Sequence, residues 1–250
     1  LSALNGQYQP GSTFKIATAA AGIQNADLSA ESDVNCPGTG SFNGRTIHNA
    51  NDFELGQVKL RTAFAHSCNT TFAGMASKLP LDALKNAASQ FGLNADYTVP
   101  GLTTELGKVE VSDSPARQVE NSIGQGNVLA SPLGMAVVAG TVATCKQITP
   151  QLFTDTKTEV TTGYQPPPAG VCAQLRTMMA DVVAPGGTAQ SLKGIKGLMG
   201  KTGTAETTNQ GSEANGWFVG IKGDLAFAVL VKDGKSSATA NAVTARFLAG

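Results

Sequence analysis

The chain has 250 residues, 41% of them hydrophobic and only 14% charged, and its 18 basic and 18 acidic side chains leave a formal net charge of zero. That length can bury a sizeable core in one domain, 1–250, without repeats, and the lack of a basic stripe removes the electrostatic footprint that nucleic-acid binding requires. The longest apolar runs are too short, or too broken by Gly, Thr and polar residues, to span a bilayer.

In chain order, the first element is set by Tyr8, Gln9, Pro10, Gly11 and Ser12. Pro10 and Gly11 end whatever precedes them. Behind them Phe14, Ile16, Ala17, Ala19, Ala20, Ala21 and Ile23 are apolar on most sides, as in a buried helix. Ser12 therefore stands at a helix start, where unpaired backbone N–H groups and the macrodipole favour negative charge on its hydroxyl oxygen and on a neighbouring oxyanion. Lys15, three residues on, shares that helical face and can reach the hydroxyl. A serine is a poor nucleophile without a base. A buried lysine can be that base if desolvation and a second cation lower its pKa, and Lys201 is the candidate for the second cation. Taken alone, Ser-x-x-Lys is more simply a helix cap beside a solvated charge, so the rest of the chain has to decide.

Cys36 to Gly44 is rich in Gly, Pro and Asn and reads as a loop. From Leu60 to Leu79, apolar residues at Leu60, Ala63 and Phe64, then Phe72, Met75, Ala76 and Leu79, follow helical spacing with a phase break near Ser67 to Asn69. Two helices with a tight joint fit this. Asn69 reads locally as the N-cap of the second helix and Ser67 as a turn residue. Chemically, the Ser67 hydroxyl could relay a proton to a leaving nitrogen and the Asn69 amide could hold a substrate amide. His66 reads as structural, since a lysine base makes an imidazole unnecessary.

Pro80 to Gly92 reads as a helix closed by Gly92, and Asn94 to Asn121 as irregular. Gly124, Gln125 and Gly126 read as a tight turn. Ser131 and Pro132 open a strong helix that ends near Cys145. Tyr164 to Pro168 is a short extended linker before a helix around Val171 to Val183, which Pro185, Gly186, Gly187 and Thr188 break.

The third informative stretch, Leu198 to Thr207, holds Lys201, Thr202, Gly203 and Thr204. It opens a three-stranded antiparallel meander: a polar connection from Asn209 to Asn215, strands at Gly216–Lys222 and Leu225–Lys232, and a short turn at Gly223 and Asp224. Gly203 lets backbone approach a ligand, and the Thr204 N–H can join that of Ser12 as an oxyanion hole. Lys201, Thr202 and Thr204 supply a cation and hydroxyls for an anionic substrate end, most simply a carboxylate. Asn241 to Leu248 closes the chain as a helix.

Cys36, Cys68, Cys145 and Cys172 allow three complete pairings. Cys145 and Cys172 flank one segment, each at a helix terminus, and form the best candidate pair if the protein is exported. Cys68, inside the second stretch, reads as a small buried apolar filler. With two histidines and no C-x-x-C or H-x-x-x-H spacing, no metal site is expected, and no cofactor.

Together, Ser12 with Lys15, Ser67 with Asn69, and Lys201 to Thr204, flanked by Tyr8 to Phe14, Ile123 to Gly126, Ser131 to Ala136 and Trp217 to Gly220, resemble the transpeptidase domain of class B, monofunctional penicillin-binding proteins. Motifs of this kind mark β-lactamases as well. The resemblance runs from about Gln7 to Val231, with Cys68 where Asp or another residue stands in relatives. It implies the penicillin-binding/β-lactamase-like α/β (α+β) fold: an antiparallel β-sheet covered by helices on both faces, plus an all-helical subdomain. It implies a serine D,D-transpeptidase that cross-links peptidoglycan stem peptides and is acylated by β-lactams. In it Ser12 is the nucleophile, Lys15 the base, Ser67, Asn69 and Lys201 the remaining catalytic set, and Thr202, Gly203 and Thr204 bind substrate. It also implies an extracytoplasmic location at the bacterial membrane, partners such as a membrane-embedded glycan polymerase or division and elongation proteins, and a chain lacking its first strands, an upstream domain and an anchor. A β-lactam sensor is the alternative. A serine β-lactamase or carboxypeptidase is less favoured, because no Glu-x-x-Leu-Asn lies between the second and third motifs.

Overall fold

The computed structural model describes residues 2–207 and 213–250. Its central sheet has three antiparallel strands, with Ala214–Lys222 in the middle, Leu225–Val231 on one side and Leu198–Glu206 on the other. The register sets Trp217 opposite Gly203, Phe218 opposite Thr202 and Val219 opposite Lys201. The three-stranded meander is therefore as the sequence predicts, except that Ala214 and Asn215 belong to the middle strand rather than to the polar connection, of which 209–212 lie outside the described residues.

Side chains alternate across a strand, and Leu225–Val231 shows what lies on each side. Phe227 packs its ring 5.4 Å from that of Phe247 in the C-terminal helix Ser237–Leu248. Its neighbour Ala226 points the other way, toward Gly140 in the helix Pro132–Thr144. Helices thus cover both faces. The serine helix Lys15–Asn25 is buried from Lys15 to Gly22 within the main core, alongside Leu60, Phe64, Phe72, Trp217 and Phe218. The helix Ala169–Val183 contributes Leu175, Met178 and Met179 to the same core.

Several elements depart from the expectations. Cys36 to Gly44 is more than a loop: Thr39–Phe42 pairs with Arg45–His48 across Asn43 and Gly44, both at positive φ, the backbone that an Asn-Gly hairpin turn requires. Asp33–Cys36 pairs likewise with Gly56–Lys59, so the region beside the sheet is mainly but not purely helical. Asn94 to Asn121 is also ordered. Asp96–Thr98 pairs with Glu159–Thr162, Gly107–Lys108 pairs with Leu129–Ala130, and Pro115–Ser122 is a helix capped by Ser114. That helix escaped the periodicity test because it buries Gln118, Asn121 and Ser122 beside Val119, so its inner face is polar. The C-terminal helix begins at Ser237, under the Ser236 cap, rather than at Asn241. No described helix is long and apolar enough to cross a membrane.

Candidate active site

Ser12 lies in a 3-10 turn, Gly11–Phe14, that runs directly into the serine helix. Three elements fix this turn. The Gly11 N–H donates to the Gly124 carbonyl at 3.0 Å, and a Cβ on Gly124 would sit 1.8 Å from the Gly11 oxygen. Trp217 Nε1 donates to the Gln9 carbonyl at 3.1 Å, and Gln9 Nε2 donates to the Gly126 carbonyl at 2.9 Å. On the strand side, a Cβ on Gly203 would meet the Pro10 oxygen at 2.8 Å. Only glycine permits these approaches, so the turn at 124–126 is the tight turn beside the cleft that the sequence predicts, and it carries the serine.

Lys15 has no exposed surface. Its Nζ lies 2.9 Å from Ser12 Oγ, 2.9 Å from the Ser67 carbonyl oxygen, 2.6 Å from Asn69 Oδ1 and 3.1 Å from Ser67 Oγ. The orientation of the Asn69 amide is fixed from its other end, where Nδ2 donates to the His48 carbonyl at 2.9 Å. Ser67 adopts φ +58 at the joint between the helices Leu60–Ala65 and Asn69–Ala76, so its carbonyl turns toward Lys15. This left-handed backbone is costly for a non-glycine residue. Asn69 is the first helical residue and Cys68 occupies the cap position, which corrects the reading of Asn69 as the cap. Its side chain holds Lys15 instead.

Lys201 is equally buried, with Nζ 2.9 Å from Ser67 Oγ and 3.0 Å from the Thr202 carbonyl. Burial and the Lys201 charge hold Lys15 well below the ordinary lysine value, and burial brings Lys201 down to about 7. In the neutral amine, the two N–H groups of Lys15 go to pure acceptors, the Ser67 carbonyl and Asn69 Oδ1. The lone pair is left for the Ser12 hydroxyl. The Lys201 ammonium donates to Ser67 Oγ, so one hydroxyl bridges the neutral and the charged amine.

An open cleft of about 1180 Å³ runs over these groups, lined among others by Ser12, Ser67, Asn69, Thr202, Gly203 and Thr204. All eight predicted residues therefore converge. Thr202 Oγ1 lies 2.6 Å from Thr188 Oγ1, and Thr204 Oγ1 accepts from the Ser237 N–H at 3.2 Å. Thr188 and Ser237 carry no chemical signature in the sequence, because one ends a helix-breaking stretch and the other opens a helix behind the Ser236 cap. His66 borders the cleft rather than the core, and no described residue hydrogen-bonds its ring.

Cys145 pairs with Cys172 as expected, with Cα atoms 5.9 Å apart. Cys68 is buried, but it is bonded to Cys36, which corrects the apolar-filler reading. Its partner ends the strand Asp33–Cys36, at the first residue of the stretch Cys36 to Gly44 that reads from sequence as a loop.

The model of the penicillin-binding protein transpeptidase domain matches residues 1–249. The chain belongs to that family. It is 31% identical to the peptidoglycan D,D-transpeptidase PbpA of Mycobacterium tuberculosis over 97% of its own length and 54% of the relative's. It is 29% identical to penicillin-binding protein 3 of Bacillus subtilis, over 92% of this chain and 37% of that one. The transpeptidase domain thus spans about half the length, or less, of the curated relatives it matches. Among solved structures it resembles penicillin-binding protein A of M. tuberculosis in its ceftriaxone acyl-enzyme complex, with a TM-score of 0.80, 26% identity, and coverage of 96% of this chain and 60% of that one. A D,D-transpeptidase domain from Eggerthella lenta gives 0.82 at 27% identity, over 96% and 64%. These relatives are of the class B kind that the motifs suggested, and their α/β architecture is the one found here.

Proposed function

We propose that the domain is a serine D,D-transpeptidase that cross-links peptidoglycan stem peptides through an acyl-enzyme on Ser12 and is acylated by β-lactams. One observation carries this reading: the buried Lys15 amine sits 2.9 Å from Ser12 Oγ with both N–H groups engaged elsewhere. The carboxylate of a D-alanyl-D-alanine end lies against Thr202 and Thr204, with Lys201 supplying field. Ser12 passes its proton to Lys15 as Oγ attacks the penultimate carbonyl carbon, and the Ser12 and Thr204 N–H groups receive the oxyanion. Collapse breaks the peptide bond. Ser67, fed by Lys15 and Lys201, delivers the proton to the departing nitrogen, and D-alanine leaves. An acceptor amine then attacks the ester, loses its proton to the same relay, and frees Ser12 with a new amide bond. With a β-lactam the first half is the same, but the leaving nitrogen stays tethered and the ester persists.

The two disulfides support an extracytoplasmic location at the bacterial membrane, and glycan strands would come from a membrane-embedded polymerase or division and elongation proteins. Intact-protein mass after benzylpenicillin, together with D-alanine release from peptides ending in D-alanyl-D-alanine, tests the reading. A stable adduct is expected in the native domain and none in Ser12→Ala, which stays folded because a helix-terminal hydroxyl is worth about 1–2 kcal/mol. A labelled Ser12→Ala protein overturns the assignment.

A further inference from the structure

The strand Leu198–Glu206 is an edge of the central sheet, paired among the described residues only with Ala214–Lys222. Thr202, Thr204 and Glu206 occupy alternate positions along it, and all three line the cleft. Glu206 thus stands about 7 Å beyond Thr204 on the side away from Thr202. The other acidic side chain on the catalytic side of the cleft, Glu120, is already neutralised by Arg45 at 2.8 Å and Arg117 at 2.5 Å. No described residue forms an ion pair with Glu206, and it is exposed.

An extended acyl donor fixed at both ends, its carboxylate against the Thr202 and Thr204 hydroxyls and its acyl oxygen at the Ser12 and Thr204 N–H groups, runs antiparallel to this edge. Its next residue back then lies beside Glu206. We propose that Glu206 selects donors carrying an ammonium group on the residue immediately before the acylated D-alanine. The inference rests on the transpeptidase reading above and adds the chemical class of the donor side chain. An open carboxylate at a cleft rim gives a modest, screenable preference for such an ammonium.

The test compares D-alanine release, as kcat/KM, from Nα-acetyl-L-lysyl-D-alanyl-D-alanine and from the same peptide acetylated also on Nε. The native domain should favour the free ammonium about two- to fivefold at low salt, the size of an exposed ion pair, with the ratio shrinking as salt is added. Glu206→Gln should bring the ratio to one and Glu206→Lys should invert it. Equal use of both peptides by the native domain, or a ratio that neither variant moves, overturns the proposal while leaving the transpeptidase reading intact. If neither peptide releases D-alanine although benzylpenicillin still labels Ser12, both fall.

Discussion

Two ammonium groups buried beside one hydroxyl cannot both stay charged, and the identity of the neutral one decides the chemistry. Lys15 feels burial and the Lys201 charge, so its proton leaves first; Lys201 gives up its own near 7. Acylation should therefore rise with pH as Lys15 is deprotonated and fall again as Lys201 is, a bell whose limbs belong to the pair. Lys201→Met removes the alkaline limb. It should also move the acidic limb to higher pH, since the field that depresses Lys15 is gone, and the rate of labelling by a fluorescent penicillin across pH 5–10 checks both shifts. At Thr202, replacement by Val deletes a hydroxyl that donates one charge-assisted bond to the substrate carboxylate in the proposed complex. The expected loss is about 1.5–3 kcal/mol, roughly ten- to a hundredfold in acylation by an acidic β-lactam, and much less with its neutral ester. Equal losses with acid and ester would move Thr202 from carboxylate binding to strand support. At this scale the sequence is informative, because Ser12 and Lys15, Ser67 and Asn69, and Lys201 to Thr204 each fall within a few residues of one another. Thr188 and Glu206 were not legible: each gains meaning only from a neighbour that folding brings to it.

The joint between Leu60–Ala65 and Asn69–Ala76 is where element and chemistry meet. Ser67 keeps its left-handed backbone because Cys68, the next residue, is tied to Cys36 on a neighbouring strand, while Asn69 is tied to the His48 carbonyl. Removing the bond with Cys36→Ala and Cys68→Ala should cost about 2–4 kcal/mol in unfolding free energy and also slow acylation. Cys145→Ala with Cys172→Ala should lower stability comparably but spare acylation, because that bridge joins the ends of Pro132–Thr144 and Ala169–Val183, outside the cleft. Urea unfolding paired with penicillin labelling separates the two effects. Gly124→Ala should be worse than either for labelling, since its methyl group would collide with the Gly11 carbonyl just before the serine. Elements with apolar periodicity or strong caps were legible: the serine helix, the split helix pair, and the helix that Ser131 and Pro132 open. Pro115–Ser122 was not, although Ser114 and Pro115 make the same cap-and-proline start, because burial of amides defeats a search for apolar stripes.

For the whole molecule, the site has a stability cost with a definite pH signature. Lys201 has a folded value near 7 against 10.5 for an ordinary lysine, so the unfolded chain holds the extra proton between those values. The penalty is complete below about pH 7 and is relieved as pH climbs toward 10.5. Unfolding free energy should therefore gain about 1.4 kcal/mol per pH unit from this group through pH 8 and 9, and Lys201→Met should lose that part of the slope. Urea midpoints at three pH values test it. The sheet, its covering helices and the family were legible from three motifs and a run of strands. The small strand pairs were not, since each is too short to show alternation, and their partners lie far along the chain.

The Cys36–Cys68 bridge also orders events in the life of the protein. Both sulfurs are sealed from solvent, so no oxidant could reach them once the surrounding chain had closed. The bond has to form while that region is still open, in a compartment that supports oxidation. A copy that folded early, among cytosolic reductants, would have its catalytic joint untethered. On the transpeptidase reading proposed above, export would then act as a timer, keeping nascent molecules idle until they reach an oxidising compartment.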